Sequence, residues 1–292
     1  MKFLITGATG FLGWRAGALL AGSGHEIVAT ARHNRVTRAA AGDVDVIEVD
    51  AGDPAIRELL AGCDCVLHFA GVPDPARAGA DPAEAVRANA GTTVNLLEGC
   101  AEHDCGLIYP SSVRAAIQPP PDAYAISKRL GEEACRAHRA SATVVRLTSV
   151  FGPGQVTHEG ATGAIAAFAA RALAGEPIVI PGDPGRGRDF VYVDDVIVAL
   201  ERIASEGRWG ETVTISSGIA TPLSQAAELV RDAAGSETEI ESPGGELAPG
   251  ENETYEATLA PAWLEFQPRG LTQGIEDYVD WLRSHPASKS RA

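Results

Sequence analysis

Tyr124 and Lys128 stand four residues apart in Tyr124-Ala125-Ile126-Ser127-Lys128, which on a helix puts both side chains on one face. A phenol with its ordinary pKa near ~10 is a poor base at neutral pH. An ammonium beside it favours the phenolate, so the ring can take a proton from an alcohol or return one to a ketone. Exposed helices often carry the same two residues at this spacing, so the pair needs a second feature before it implies chemistry. Ahead of it, the apolar run Gly106–Tyr109 leads into Pro110-Ser111-Ser112, two hydroxyls at a strand end.

The second feature is Thr6-Gly7-Ala8-Thr9-Gly10-Phe11-Leu12-Gly13, directly after the apolar run Lys2–Thr6. Glycines there can turn tightly, let backbone approach a pyrophosphate and let a helix pack close to a strand. The helix that follows aims its N-terminal amides and positive dipole end at the phosphates. A glycine triplet alone is weak, but between a strand and a helix it reads as a dinucleotide site.

The Gly-x-x-Gly-x-x-Gly spacing resembles the fingerprint of the short-chain dehydrogenases/reductases. Further segments resemble its extended branch, the nucleotide-sugar epimerases, dehydratases and reductases: His68-Phe69-Ala70-Gly71, Asn89-Ala90-Gly91-Thr92, the Tyr124–Lys128 segment, Arg146 to Pro153 and Arg188 to Asp195. The resemblance implies Ser112, Tyr124 and Lys128 as the catalytic set, with Ser112 rather than Ser111 on the reacting oxygen and Lys128 also on the nicotinamide ribose. It implies cofactor contacts at Gly7, Thr9, Gly10, Phe11, Leu12, Gly13, Ala70, Gly71 and Asn89, and at Asp50 and Ala51 near adenine. For the substrate it implies Ser112, Arg188, and Ser149 where relatives often carry an asparagine. Relatives that dehydrate sugars place an Asp-Glu pair after the hydroxyl residue. Here Val113-Arg114 stands there, which argues against 4,6-dehydration.

NAD-preferring relatives place a carboxylate after the second strand, on the adenosine ribose hydroxyls. Here Ala31 takes that position, followed by Arg32 and, further on, Arg35. A guanidinium can pair with a 2′-phosphate that no carboxylate repels. NADP(H) is therefore favoured, with NAD(H) the alternative.

The elements that position these residues alternate short apolar runs with helical stretches, the pattern of a parallel sheet with crossover helices. Strands are expected at Lys2–Thr6, Glu26–Thr30, Val44–Val49, Cys65–Phe69, Gly106–Tyr109 and Thr143–Leu147. Helices are expected at Phe11–Ala21, Pro54–Leu60, Asp81–Glu102 and Tyr124–Ala140, and later near Gly163–Ala174, Thr221–Ala234 and Leu271–Ser284. The fold class is α/β: a Rossmann-type doubly wound parallel sheet over residues 1–150, rejoined by about 188–205. Residues 151–292 mainly form a smaller substrate-binding lobe.

Net charge is −15, from 24 basic and 39 acidic residues, which disfavours nucleic acid or an anionic membrane as partner. No apolar run approaches the ~18 residues of a membrane helix, and the opening apolar run breaks at Gly7, so no export signal is read. The five cysteines, Cys63, Cys65, Cys100, Cys105 and Cys135, show no metal-ligand spacing. They suit a structural role in a reducing compartment, so the cytoplasm is expected, and no metal. The resemblance also implies a homodimer joined through the helices 81–102 and 124–140. The reading is an NADPH-dependent reductase of a nucleotide-activated keto sugar. The alternative is a nucleotide-sugar epimerase with resident NAD. A non-catalytic dinucleotide sensor would have little use for the Tyr–Lys pair.

Overall fold

The computed structural model describes residues 1–33, 45–155, 163–247, 251, 254 and 258–284. β1 (Lys2–Thr6) turns through the glycine loop into α1 (Phe11–Gly22), and β2 (Glu26–Ala31) and β3 (Val46–Glu48) follow. β4 (Cys65–His68) precedes α2 (Pro75–Ala80), α3 (Pro82–Val86), a π-turn over Arg87–Gly91, and α4 (Thr92–His103). Next come β5 (Gly106–Ser112), α5 (Ala123–Ala137), β6 (Ala142–Leu147), β7 (Ser149–Phe151) and α6 (Ala164–Ala174). β8 (Ile178–Pro181), β9 (Gly187–Tyr192), α7 (Val193–Ser205) and β10 (Thr212–Ile215) lead to β11 (Ala220–Pro222), α8 (Leu223–Ala233), β12 (Ile240–Gly244) and α9 (Leu271–Ser284).

Seven strands form one sheet in the order β10-β6-β5-β4-β1-β2-β3, with every neighbouring pair parallel. The chain winds outward from β1 to one edge, then restarts at β4 and winds to the other. That reversal between β1 and β4 opens a crevice beyond the C-terminal strand ends, where doubly wound sheets take their ligands.

The strands read as unbroken apolar runs because both faces are covered. Phe3 and Ile5 point to α1 and α7, against Ala16, Leu20, Val196 and Leu200. Leu4 points the other way, into a cluster with Val66, Leu107, Leu96 and Leu97 beneath α4. Each such side chain contributes about 1.5–3 kcal/mol of burial. A separate apolar cluster, with Ile165, Phe168, Phe190, Val230 and Tyr278, lies under α6, α8 and α9. All five cysteines are free and buried. Among the described residues no helix is long and apolar enough to cross a membrane. None of their His, Cys, Asp and Glu side chains form a group of three or more that could hold a metal.

Several elements differ from the sequence expectation. Pro54–Leu60 is a 3-10 helix, started by Pro54 and capped by Asp53. The expected helix 81–102 is α3, the π-turn and α4 in succession. β5 runs on through Pro110 to Ser112; past Ile108 it pairs only with β6, so the missing proline N–H interrupts no central ladder. β10 was not anticipated, since Thr212–Ile215 is a short run far from the other strands. The expected strand 44–49 appears as Val46–Glu48, with Val44 outside the described residues.

Candidate active site

At the end of β1, Gly7 adopts φ +64, a left-handed conformation open to a residue without Cβ. A Cβ on Gly7 would lie 2.7 Å from the Ala70 nitrogen, and one on Gly13 would lie 2.3 Å from the Gly7 carbonyl oxygen. Loop, β4 end and first turn of α1 therefore meet backbone to backbone. Gly10 is the N-cap of α1 and, lacking a side chain, makes no side-chain cap hydrogen bond. A glycine cradle opening onto a helix N-terminus fits the diphosphate of a dinucleotide.

Beneath the cradle, the Thr6 hydroxyl oxygen accepts the Ala70 N–H at 3.1 Å and lies 2.8 Å from His68 Nδ1. His68 Nε2 lies 3.0 Å from the Thr92 hydroxyl, which itself donates to the Ala88 carbonyl at 2.7 Å. With the Thr92 proton committed, the neutral ring carries its own on Nε2. Burial, aided by the Lys128 charge, pulls His68 down to about 3.

The two serines at the end of β5 separate in role. Ser111 Oγ donates to buried Glu132 at 2.7 Å. Ser112 Oγ accepts the Arg114 N–H at 3.2 Å and lines the same cleft as the Tyr124 phenol. Tyr124 opens α5, whose N-cap Asp122 accepts the Ala125 N–H at 2.7 Å. Burial pushes the phenol up to about 12, against the opposing influence of the Ser112 hydroxyl and the Arg114 charge. Lys128 Nζ donates to the Pro110 carbonyl at 2.9 Å and stands 5.0 Å from the Tyr109 ring centroid. Burial draws that ammonium down to about 8, with Glu132 pulling the other way. Ser112, Tyr124, Lys128, Phe11, Leu12 and Ser149 line one cleft of about 280 Å³.

The other sequence candidates are distributed around it. Gly71, at φ +151, faces Asn89, whose Oδ1 a Cβ would meet at 2.2 Å. Asn89, expected to contact cofactor, is fully buried. Its amide exchanges bonds with the Val72 backbone at 2.8 and 3.0 Å and donates to Ser127 at 2.8 Å. That side chain braces the Gly71–Val72 turn against α5. Asp50 accepts the Gly52 N–H at 2.7 Å, and Ala51 is buried, its carbonyl accepting from Asn95 at 2.9 Å. Arg32 follows β2 and pairs with Glu84 of α3 at 3.5 Å, the guanidinium 58% exposed. Arg35 lies outside the described residues. Arg188 stands apart from the cleft lining and donates to the Gly187 and Glu251 carbonyls at 2.9 and 2.6 Å.

Arg114, which the sequence left without a role, bridges Asp122 and Glu251, the latter at 2.7 Å. Sequence reasoning assigned nothing to Thr148, Asp189 or Glu132. Asp189 accepts the Ser217 and Gly218 N–H groups at 2.8 and 2.7 Å and the Thr148 hydroxyl at 3.1 Å, fixing the backbone after β10. Its only signal in the sequence is its place beside Arg188.

The sequence model of the NAD dependent epimerase/dehydratase family matches residues 3–216. The dTDP-4-dehydro-6-deoxy-D-allose reductase of Streptomyces bikiniensis is 26% identical, with 97% of this chain and 96% of the relative covered. The UDP-glucose 4-epimerase of Thermotoga maritima, solved with UDP-glucose, superposes with a TM-score of 0.87 at 25% identity, covering 97% and 99% of the two chains. The UDP-glucose 4-epimerase of Thermus thermophilus, solved with NAD, gives 0.83 at 26% identity over 97% and 99%.

Proposed function

The chain belongs to the NAD dependent epimerase/dehydratase family, and from that premise we propose that it is an NADP(H)-dependent reductase of a keto sugar carried on a nucleotide. The observation that carries the reading is the convergence of Ser112, Tyr124 and Lys128 on one cleft beside the glycine cradle. A nicotinamide dinucleotide held by Gly7, Gly10, Gly13 and the first turn of α1 supplies the hydride. The Ser112 hydroxyl holds the sugar carbonyl oxygen while Tyr124 Oη gives it a proton. A phenol raised to about 12 stays protonated at neutral pH, the state that reduction requires. Lys128 keeps positive charge beside the phenolate left behind.

Two further features favour a reductase. β2 ends in Ala31-Arg32 without a carboxylate of its own, and the Arg32–Glu84 pair is exposed enough to yield to a 2′-phosphate, such pairs being worth only about 0–1 kcal/mol. Val113 and buried Arg114 occupy positions where dehydration would need an acid and a base. Ser149 in the cleft and Arg188 beyond it are the proposed substrate contacts. The apolar residues Val94, Ile126 and Leu130, exposed on α4 and α5, support a homodimer joined there, and the free buried thiols suit the cytoplasm.

Incubation with NADPH and a panel of keto-sugar nucleotides, then with UDP- and GDP-hexoses alone, tests the assignment. Oxidation of NADPH dependent on a keto sugar is expected. Interconversion of UDP-hexoses with no added reductant would make the protein an epimerase, as the Thermotoga maritima structure is.

A further inference from the structure

Glu132 follows Tyr124 and Lys128 at the same four-residue interval on α5, so the three share one helix face. Its side chain is wholly buried, where an isolated carboxylate would be costly. It is instead held from three elements. Ser111 of β5 donates at 2.7 Å, Arg146 of β6 donates at 2.9 and 2.6 Å, and Arg136 of α5 donates at 2.8 Å. These bonds keep Glu132 ionised, below the usual carboxylate range despite burial.

We propose that Glu132 is a positioning residue for the Tyr124–Lys128 pair, a buried carboxylate that keeps the Lys128 ammonium charged and, through Ser111, fixes the strand end that presents Ser112. The proposal rests on the catalytic reading above, but its test does not. Among the described residues the groups facing Lys128 are few. β4 offers His68, which is neutral and brings no compensating charge. β5 offers the Pro110 carbonyl and the Tyr109 ring. The helix itself offers Tyr124 and Glu132, and the guanidiniums of Arg136 and Arg146 are paired with that carboxylate. Glu132 is therefore the anion that opposes the effect of burial on Lys128.

The chain has three lysines, Lys2, Lys128 and Lys289, so NMR of protein carrying 13Cε-lysine resolves the Lys128 titration without cofactor or substrate. Glu132→Gln keeps the shape and the bonds to one oxygen but removes the charge, since an amide nitrogen cannot accept. The Lys128 midpoint is expected to fall by about one pH unit, the lower end of what a nearby opposite charge is worth. In the active enzyme the alkaline limb of kcat should move down with it, while KM for the nucleotide sugar stays put. Glu132→Asp, which retains the charge, should restore most of the shift. A lower melting temperature with an unmoved Lys128 titration would overturn the proposal, leaving Glu132 a packing element. Should Glu132→Gln not fold, the half-exposed Arg136→Ala decides. With one cation gone from the carboxylate the Lys128 midpoint should rise, and an unchanged midpoint overturns the idea. If no nucleotide sugar is turned over at all, the functional reading fails while the lysine titration still stands.

Discussion

Two titratable groups on one helix face are driven in opposite directions by the same burial, the Tyr124 phenol up to about 12 and the Lys128 ammonium down to about 8. Tyr124→Phe keeps the ring but deletes the proton, so kcat should fall by roughly 10²-fold or more, with dinucleotide affinity measured by calorimetry nearly unchanged. Arg32→Ala should weaken NADPH by roughly tenfold to a hundredfold, the worth of a charge-assisted contact, and NADH far less. Dissociation constants at one salt concentration check this, because the exposed guanidinium is screened. His68 gives a pH signature. Its folded pKa lies near 3, below the unfolded 6.5, so the unfolded chain binds the extra proton between those values. The stability from the neutral ring is complete above 6.5 and shrinks by up to about 1.4 kcal/mol per unit as pH falls through that window. Urea midpoints at pH 7 and pH 5 should converge for wild type and His68→Gln. The placing of Tyr124 and Lys128 on one helix face and the tight turn at Gly7 were legible because spacing and glycine strain are local. The bonds of Asn89 and Glu132 were not, since their partners come from distant strands and helices.

Elements were read best where a turn signal bounded an apolar run. β1 and α9 match their expected limits, and α1 ends one residue later than expected. β5 was cut short at Tyr109 because a proline ordinarily ends a strand. The structure keeps Pro110 in β5, where its carbonyl accepts from Lys128 and the next two residues supply both serines. The π-turn at Arg87–Gly91 left no mark on the apolar periodicity of 81–102, because it adds a wide turn without breaking the helical path. On α4 and α5 the exposed Val94, Ile126 and Leu130 are each 44–45% accessible. If these helices pair across a twofold axis, Val94→Glu with Ile126→Glu should convert a dimer to a monomer at micromolar concentration. Light scattering reads the change directly. A wild-type particle of one chain mass would refute the pairing.

At the scale of the molecule, the parallel α/β sheet was legible because strands covered on both faces cannot alternate polar and apolar residues. β10 was not, since four residues acquire their identity only when they find β6. One global property follows from the cysteines, each at most 6% exposed and spread over the loops and elements around β4, β5, α4 and α5. A thiol reagent cannot reach any of them until that end of the sheet opens. In native buffer the chain should resist Ellman's reagent, and across a urea titration five equivalents should react along one curve that overlays the loss of circular dichroism. A sulfur that reacts ahead of the rest would mark a region that opens on its own. Labelling rates would then follow the population of the opened chain. The sulfurs thus act as an internal stopwatch for unfolding, with no probe to install.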